Sequence, residues 1–416
     1  MILLPKLSTL VWQYDLIPNE LLPLALSLVG PQLKVLRLVE WFVPANKDPQ
    51  NSLKSSLSWI LHQFPHLEEF LLDYTVAGRH SVAPSHSIVP SSSVLHVLEQ
   101  YSSLKYFKCT GIPIDEGAFH AFGKLSNLVI LNVQLPLSLT WPSSGAGTLQ
   151  FCALRSLILS TTARDYIAFS AVTSLSNVSD IELRISEPPD QDDIPLFFIA
   201  IRQQFSPLKV SCLAICPSSP RARHEVADDG GATLRPTDLH PLLEYTTLRQ
   251  LEVNLPCRYT LTSSSYLDIA RALPEIRKIN IGTSDVCVHD TPLPDISALV
   301  PFALHCPELR SLGICFNAAL SLTAHGVDAL LPKDAAASKV SHIDAGTSPI
   351  ASPGRVAGSL ARLFPNLSIV MPSFGERASR WRADWHTALW LLPWYKMIRE
   401  DERRRMENKN GEQGGD

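Results

Sequence analysis

Excess charge of either sign is missing from this chain. Its 416 residues carry 36 Lys and Arg against 40 Asp and Glu, a formal net charge of -4. Surfaces for nucleic acid or anionic membrane need a basic footprint that so even a balance does not supply, so neither is an expected partner. Long apolar runs are also missing. The stretch from Leu21 to Val29 is interrupted by Pro23 and follows Asp15 and Glu20 rather than Lys or Arg. No run reaches the roughly 18 to 20 residues that span a bilayer, and a soluble chain, cytoplasmic or nuclear, is expected. The eight cysteines contain no C-x-x-C pair, which argues against a zinc site. In a reducing compartment they are expected to behave as small buried hydrophobes.

Catalytic signatures are equally scarce. The chain has no G-x-S-x-G, H-E-x-x-H, G-x-G-x-x-G or EF-hand loop. The stretch Gly117 to Lys124 comes nearest to a phosphate loop, but it has one residue too many between its glycines and Leu125 where a hydroxyl belongs. It reads instead as a helix beginning at Asp115. Asp190, Asp192 and Asp193 precede a helix at Ile194, where negative charge suits the helix dipole better than it makes a cation site. Thirteen histidines lie scattered without ligand spacing. No catalytic residue, cofactor or metal is expected, and an enzyme is the weakest reading of the chain.

What is present is apolar and periodic. Hydrophobic residues make up 45% of the chain and charged residues 18%, which is ample material for a core. The 32 prolines exceed the usual share of about 5% and point to many short, punctuated elements. One six-residue pattern, apolar-x-x-apolar-x-apolar, opens at Leu7, Leu33, Leu67, Leu104, Leu128, Leu154, Val178, Val210, Leu248, Ile276, Leu309 and Val340, with a degraded copy at Leu367. The 360 residues from Leu7 to Leu367 hold twelve steps, so the openings average 30 residues apart. The alternation within each copy predicts a short strand with one buried face.

Between the copies, apolar residues recur at three and four. That spacing predicts helices over Asn51 to Phe64, Asp165 to Leu175, Ile194 to Phe205, Ser265 to Leu273, Ile296 to Cys306 and Val356 to Phe364. Many stop at a proline two residues ahead of the next copy, as in Phe64-Pro65-His66-Leu67 and Cys306-Pro307-Glu308-Leu309. Strand, helix and return to a neighbouring parallel strand define an α/β leucine-rich-repeat solenoid, with strands on the concave side and helices on the convex side. The expected organisation is 12 to 13 irregular repeats over 1–372, a capping helix over 373–398 and a flexible mixed-charge tail over 399–416. Gly78 to Ser93, Pro217 to Pro236 and Leu331 to Pro353 read as loop inserts. In the capping helix Trp381, Trp385, Leu389 and Leu392 share a face, and Pro393 is expected to kink or stop it.

The block His305-Cys306-Pro307-Glu308-Leu309-Arg310-Ser311-Leu312-Gly313-Ile314-Cys315 resembles the cysteine-containing leucine-rich repeat of F-box proteins. The irregular repeat lengths, the opening Leu3-Leu4-Pro5-Lys6-Leu7-Ser8-Thr9-Leu10, the phrase Val29-Gly30-Pro31-Gln32-Leu33 and the Trp-rich closing helix resemble the fungal F-box and leucine-rich-repeat group. The resemblance implies a substrate receptor of an SCF-type ubiquitin ligase. No F-box is found ahead of the repeats, so a Skp-type adaptor is an expected partner only if that module lies upstream. A free-standing repeat scaffold is the alternative.

Outward strand positions carry the expected site. Apolar and aromatic residues cluster in the first half, with acidic neighbours, which is the composition of a protein-binding patch. The residues singled out are Glu69, Leu71, Asp73, Tyr106, Lys108, Ile130, Asp180, Glu182 and Arg184. The expected function is non-catalytic recognition of a protein target.

Overall fold

The computed structural model describes residues 4–13, 21–43, 63–76, 101–114, 116–136, 149–218, 231–285, 287–289, 292–319, 338–372 and 381–413. They fall into two compact units, Met1–Glu187 with Ile199–Val210, and Pro188–Phe198 with Ser211–Asp416.

In the first unit, β1 (Thr9–Gln13), β2 (Val35–Val43), β3 (Glu69–Val76), β4 (Tyr106–Pro113), β5 (Ile130–Gln134), β7 (Ser156–Thr161) and β9 (Asp180–Ile185) lie side by side in chain order, all parallel. Two-residue strands β6 (Leu149–Gln150) and β8 (Thr173–Ser174) form a separate parallel pair. Strict register stacks like on like: Leu36, Phe70, Phe107, Leu131, Leu157 and Ile181 form one row, none more than 3% exposed. A second buried row runs Leu38, Leu72, Cys109, Val133, Leu159 and Leu183. Each fully buried apolar side chain of this size contributes about 1.5 to 3 kcal/mol, so removing one from a row weakens two interfaces at once.

The return segments of this unit include α1 (Leu22–Ser27), α2 (Glu116–Gly123), α3 (Ala163–Val172) and the second half of α4 (Asp193–Gln204). Thr162 starts α3 by accepting the Asp165 N–H at 3.0 Å while donating to that carboxylate at 2.8 Å. Aromatic contacts link strand to strand, strand to helix and helix to helix: Phe70 stacks on Phe107 at 5.5 Å, Phe107 meets Phe122 at 4.6 Å, and Phe119 meets Phe169 at 5.2 Å. Tyr166 donates to Gln204 at 2.5 Å, Gln204 donates to Thr173, and Thr173 donates to the Phe169 carbonyl at 2.8 Å. These three bonds match the buried side chains of Tyr166, Gln204 and Thr173 with one another.

The second unit repeats the scheme with β10 (Cys212–Pro217), β12 (Gln250–Val253), β14 (Lys278–Ile281), β16 (Ser311–Ile314), β17 (His342–Gly346) and β18 (Ile369–Pro372), again parallel. Its buried row is Leu213, Leu251, Ile279, Leu312, Ile343 and Val370. A small parallel sheet of β11 (Thr233–Leu234), β13 (Arg258–Tyr259) and β15 (Val288–His289) runs beside it. Strand β11 lies inside the Pro217 to Pro236 insert, so the end of that segment is not the loop the sequence implies: Thr233 pairs with Arg258, and its carbonyl and N–H both bond the Gln191 side chain. The returns are α5 (Ser263–Ala272), α6 (Val300–His305), α7 (Pro353–Leu363) and two 3-10 turns, Pro236–Glu244 and Ile296–Leu299. The helix expected over Ile296 to Cys306 is thus a 3-10 turn capped by Asp295, whose carboxylate accepts the Ser297 N–H at 2.9 Å, followed by one short α-helix with Pro301 in its first turn.

The closing helix α8 (Arg382–Gln413) continues past Pro393, so the proline does not stop it, and 399–413 are helical. Packing on both sides of the proline supplies the reason. Trp385, Ala388 and Leu392 are buried ahead of it. Beyond it, Lys396 donates to the Leu367 carbonyl and Arg399 to the Ala361 carbonyl at 2.6 Å. Such tertiary anchoring outweighs the roughly 3 kcal/mol a proline costs inside a helix. Trp381 and Leu389 are half-buried, whereas Trp390 is 67% exposed. Among the described residues no helix is long and apolar enough to cross a membrane. The predicted helix over Asn51 to Phe64 and the Gly78 to Ser93 insert lie outside the described residues, apart from Gln63 and Phe64.

Candidate functional site

All nine residues singled out from the sequence lie on the outward face of the first unit's strands, alternating with the buried rows. Register places Glu69 beside Tyr106 and Tyr106 beside Ile130. Leu71 lies beside Lys108, and Lys108 beside Asn132. Asp180, Glu182 and Arg184 share β9, four strands from β3, or about 19 Å at a strand spacing of 4.8 Å. The nine therefore form two groups rather than one.

Within the first group the charges are paired. Arg37 donates through Nε to Glu69 at 2.7 Å, and that hydrogen bond and charge hold its guanidinium above its ordinary pKa. Asp73 accepts from Thr110 at 2.9 Å and from Lys108 at 3.3 Å. Burial, then the charge of Glu69, pushes the Tyr106 phenol up. In the second group Arg184 donates to Glu182 at 2.7 Å, and Ser179 donates to the exposed Asp180 at 2.7 Å.

Asn132 is not among the nine. It lies on the outward face between Lys108 and Ile158, yet it is only 3% exposed and its side-chain oxygen accepts no hydrogen bond. A buried carbonyl without a donor costs about 1 to 3 kcal/mol. The only hint in the sequence was an amide among apolar strand residues.

On the second unit the outward phase breaks at strand ends. Cys315, which strict alternation from Ser311 and Gly313 would turn outward, is fully buried because β16 stops at Ile314 and the chain no longer alternates beyond it. Its thiol donates to the Gly282 carbonyl at 3.4 Å. Burial pushes that thiol up, but the charge and hydrogen bond of His289, with donors from Thr347, bring it below its ordinary value. No surface reaches its sulfur, so it has no route to an external substrate in this conformation. Of the other cysteines, Cys109, Cys257, Cys287 and Cys306 are buried as expected, Cys212 and Cys216 are half-buried, and Cys152 is exposed. Among the described residues no three His, Cys, Asp or Glu side chains gather as a metal site.

A pocket of about 310 Å³ opens on this unit, with Glu252, Asn280, Thr283 and Asp344 among its walls. No sequence motif marked it.

Parallel strands in strict register, joined by short helical returns and backed by rows of leucine and isoleucine, define a leucine-rich-repeat solenoid. No family model matches the chain, and no curated protein does. Among solved structures the chain is similar to an internalin from Listeria monocytogenes, at 12% identity and a TM-score of 0.40, covering 82% of this chain and 80% of that one. It is also similar to TLR13 from a TLR13–ssRNA13 complex, at 13% identity and a TM-score of 0.41, covering 83% of this chain and 47% of that one. Likeness this distant says nothing of ligands, and the fold assignment rests on the register and the buried rows.

Proposed function

We propose that the chain is a non-catalytic protein-recognition module whose partner docks on the outward strand face of the first unit. The observation that carries this reading is the half-buried apolar surface that Leu71, Tyr106 and Ile130 offer on neighbouring strands of that face. The surrounding charges are already matched in pairs, so a partner meets an apolar patch with a satisfied polar rim. Aromatic and aliphatic anchors at the centre of such patches carry most of the binding energy.

A photo-crosslinking residue in place of Ile130, followed by mass spectrometry, tests the reading. One protein should be captured, and Tyr106→Ala with Leu71→Ser should abolish the crosslink while the melting midpoint stays within about 2 °C, as outward residues allow. Capture that survives the double change would move the recognition surface elsewhere.

The narrower role of substrate receptor for an SCF-type ubiquitin ligase rests on the F-box resemblance alone. Calorimetry with a purified Skp-type adaptor separates the two versions. Tight one-to-one binding supports the ligase link, and a chain that captures its target while ignoring the adaptor is a free-standing scaffold.

A further inference from the structure

One residue ahead of each long strand, the chain sets a file of side chains along the sheet, and each member's carbonyl accepts the N–H of the next. In the first unit the file runs Ser8, Lys34, Glu68, Lys105, Val129, Arg155 and Ser179. Its charges are matched: Glu68 holds Lys105 at 2.7 Å and Lys34 at 2.9 Å, and Arg155 donates to the Asn177 carbonyl at 3.3 Å. In the second unit the file runs Ser211, Arg249, Arg277, Arg310, Ser341 and Ser368. Three arginines follow one another with no acid between them.

All three are exposed, and among the described residues no group hydrogen-bonds or ion-pairs with their guanidiniums. The lysines beside them are matched, Lys278 with Glu252 at 3.6 Å and Lys339 with Glu308 at 2.5 Å. The hydrogen bond and charge of Lys339 hold Glu308 below its ordinary pKa, and Arg277 and Arg310 add a smaller pull without bonding it. Like charges on adjacent strands, about 4.8 Å apart along the backbone, destabilise a sheet. The first unit relieves that repulsion with Glu68, and the second leaves it unrelieved.

We propose that this ladder docks a short acidic segment of a protein partner, two or three carboxylates laid along Arg249, Arg277 and Arg310. A guanidinium grips a carboxylate through two parallel N–H bonds, so each rung offers a directed site and not merely a charge. The ladder spans two strand spacings, about 9.5 Å. Acidic residues three and four apart on one helix face lie about 5 to 6 Å from each other, so three of them cover that span. A nucleic acid draws its affinity from many phosphates, and three cations with Glu252, Glu275 and Glu308 close by in the sequence make too short and too mixed a footprint. The proposal does not depend on the recognition face of the first unit, and its test reads a different residue.

Fluorescence anisotropy with the full chain at about 20 mM salt tests it, where screening is weak. The probes are a labelled alanine-rich peptide with three glutamates at helical spacing, the same peptide with glutamines, and a uridine dodecamer. The glutamate peptide should bind saturably and weaken steeply as salt rises, whereas the glutamine peptide should not bind and the RNA should bind less tightly. Arg277→Glu should weaken peptide binding at least about tenfold, and Arg277→Gln by less. Arg277→Glu rebuilds the alternating order of Lys34, Glu68 and Lys105, so its melting midpoint should stay level or rise. Equal binding of the glutamine peptide, no saturable binding of the glutamate peptide, or full binding by Arg277→Glu overturns the proposal. Tighter binding of the RNA overturns it in favour of a nucleic-acid site. A midpoint lowered by more than about 4 °C in Arg277→Glu would show that this arginine serves the fold, and overturns it as well.

Discussion

Truncating Trp385 to alanine removes the side chain that fastens the closing helix to the last repeats. Its indole is fully buried, donates to the Ser348 carbonyl at 2.9 Å, and packs edge-on against Phe316 with ring centroids 5.9 Å apart. Ser348 in turn accepts the Phe316 N–H at 2.9 Å, so one residue ties α8 to two successive return segments. Trp-to-Ala changes in cores cost about 3 to 5 kcal/mol, and the stranded Ser348 carbonyl adds about 1 kcal/mol. The expected loss is therefore about 4 to 6 kcal/mol. At about 2 to 4 °C per kcal/mol for a unit of this size, that lowers the melting midpoint by about 8 to 24 °C. Because repeats touch mainly their neighbours, hydrogen exchange should rise first over 338–372 and 382–413. Trp390→Ala is the control: this tryptophan is 67% exposed and its loss should cost less than about 0.5 kcal/mol. Equal effects of the two changes, or a Trp385→Ala loss below about 2 kcal/mol, would refute the docking of α8.

Glu68 is held between Lys105 at 2.7 Å and Lys34 at 2.9 Å, and those hydrogen bonds, Lys105 first, lower its pKa to about 2. Because the folded value is depressed, its contribution is full above the ordinary carboxylate range and disappears as pH falls toward 2. Carboxyl NMR should find Glu68 still ionised at pH 4 in low salt, and a midpoint above 4 would show that the ion pairs do not persist. Alkylation of the native chain at pH 8 should label the exposed Cys152 first and spare Cys109 and Cys306, whose thiols burial pushes up to about 12. Labelling of Cys109 at the rate of Cys152 would contradict the packed row it occupies.

The strand positions were legible because their signal is local. Each of the thirteen long strands begins two residues after the apolar residue that opens its copy, from Leu7 and Thr9 to Leu367 and Ile369. A period of two also tells which residues face inward, and within strands that phase is right from Leu36 to Val370. Helix ends capped by Leu273, Cys306 and Phe364 followed from the prolines after them. The comparisons carry no argument for the F-box part of the resemblance. Only the tertiary structure decided whatever depends on residues about thirty apart meeting sideways. The cost of Pro393 was visible, but the Leu367 and Ala361 carbonyls that hold the helix beyond it were not. Asn132 looked like any outward amide until neighbouring strands covered it and left its oxygen without a donor. Glu252, Asn280 and Asp344 come from three different repeats, and they line one pocket because strict parallel register sets them on one row. A strand's own alternation says which way a side chain points, but the depth of a pocket is set by the side chains that its lateral neighbours have or lack.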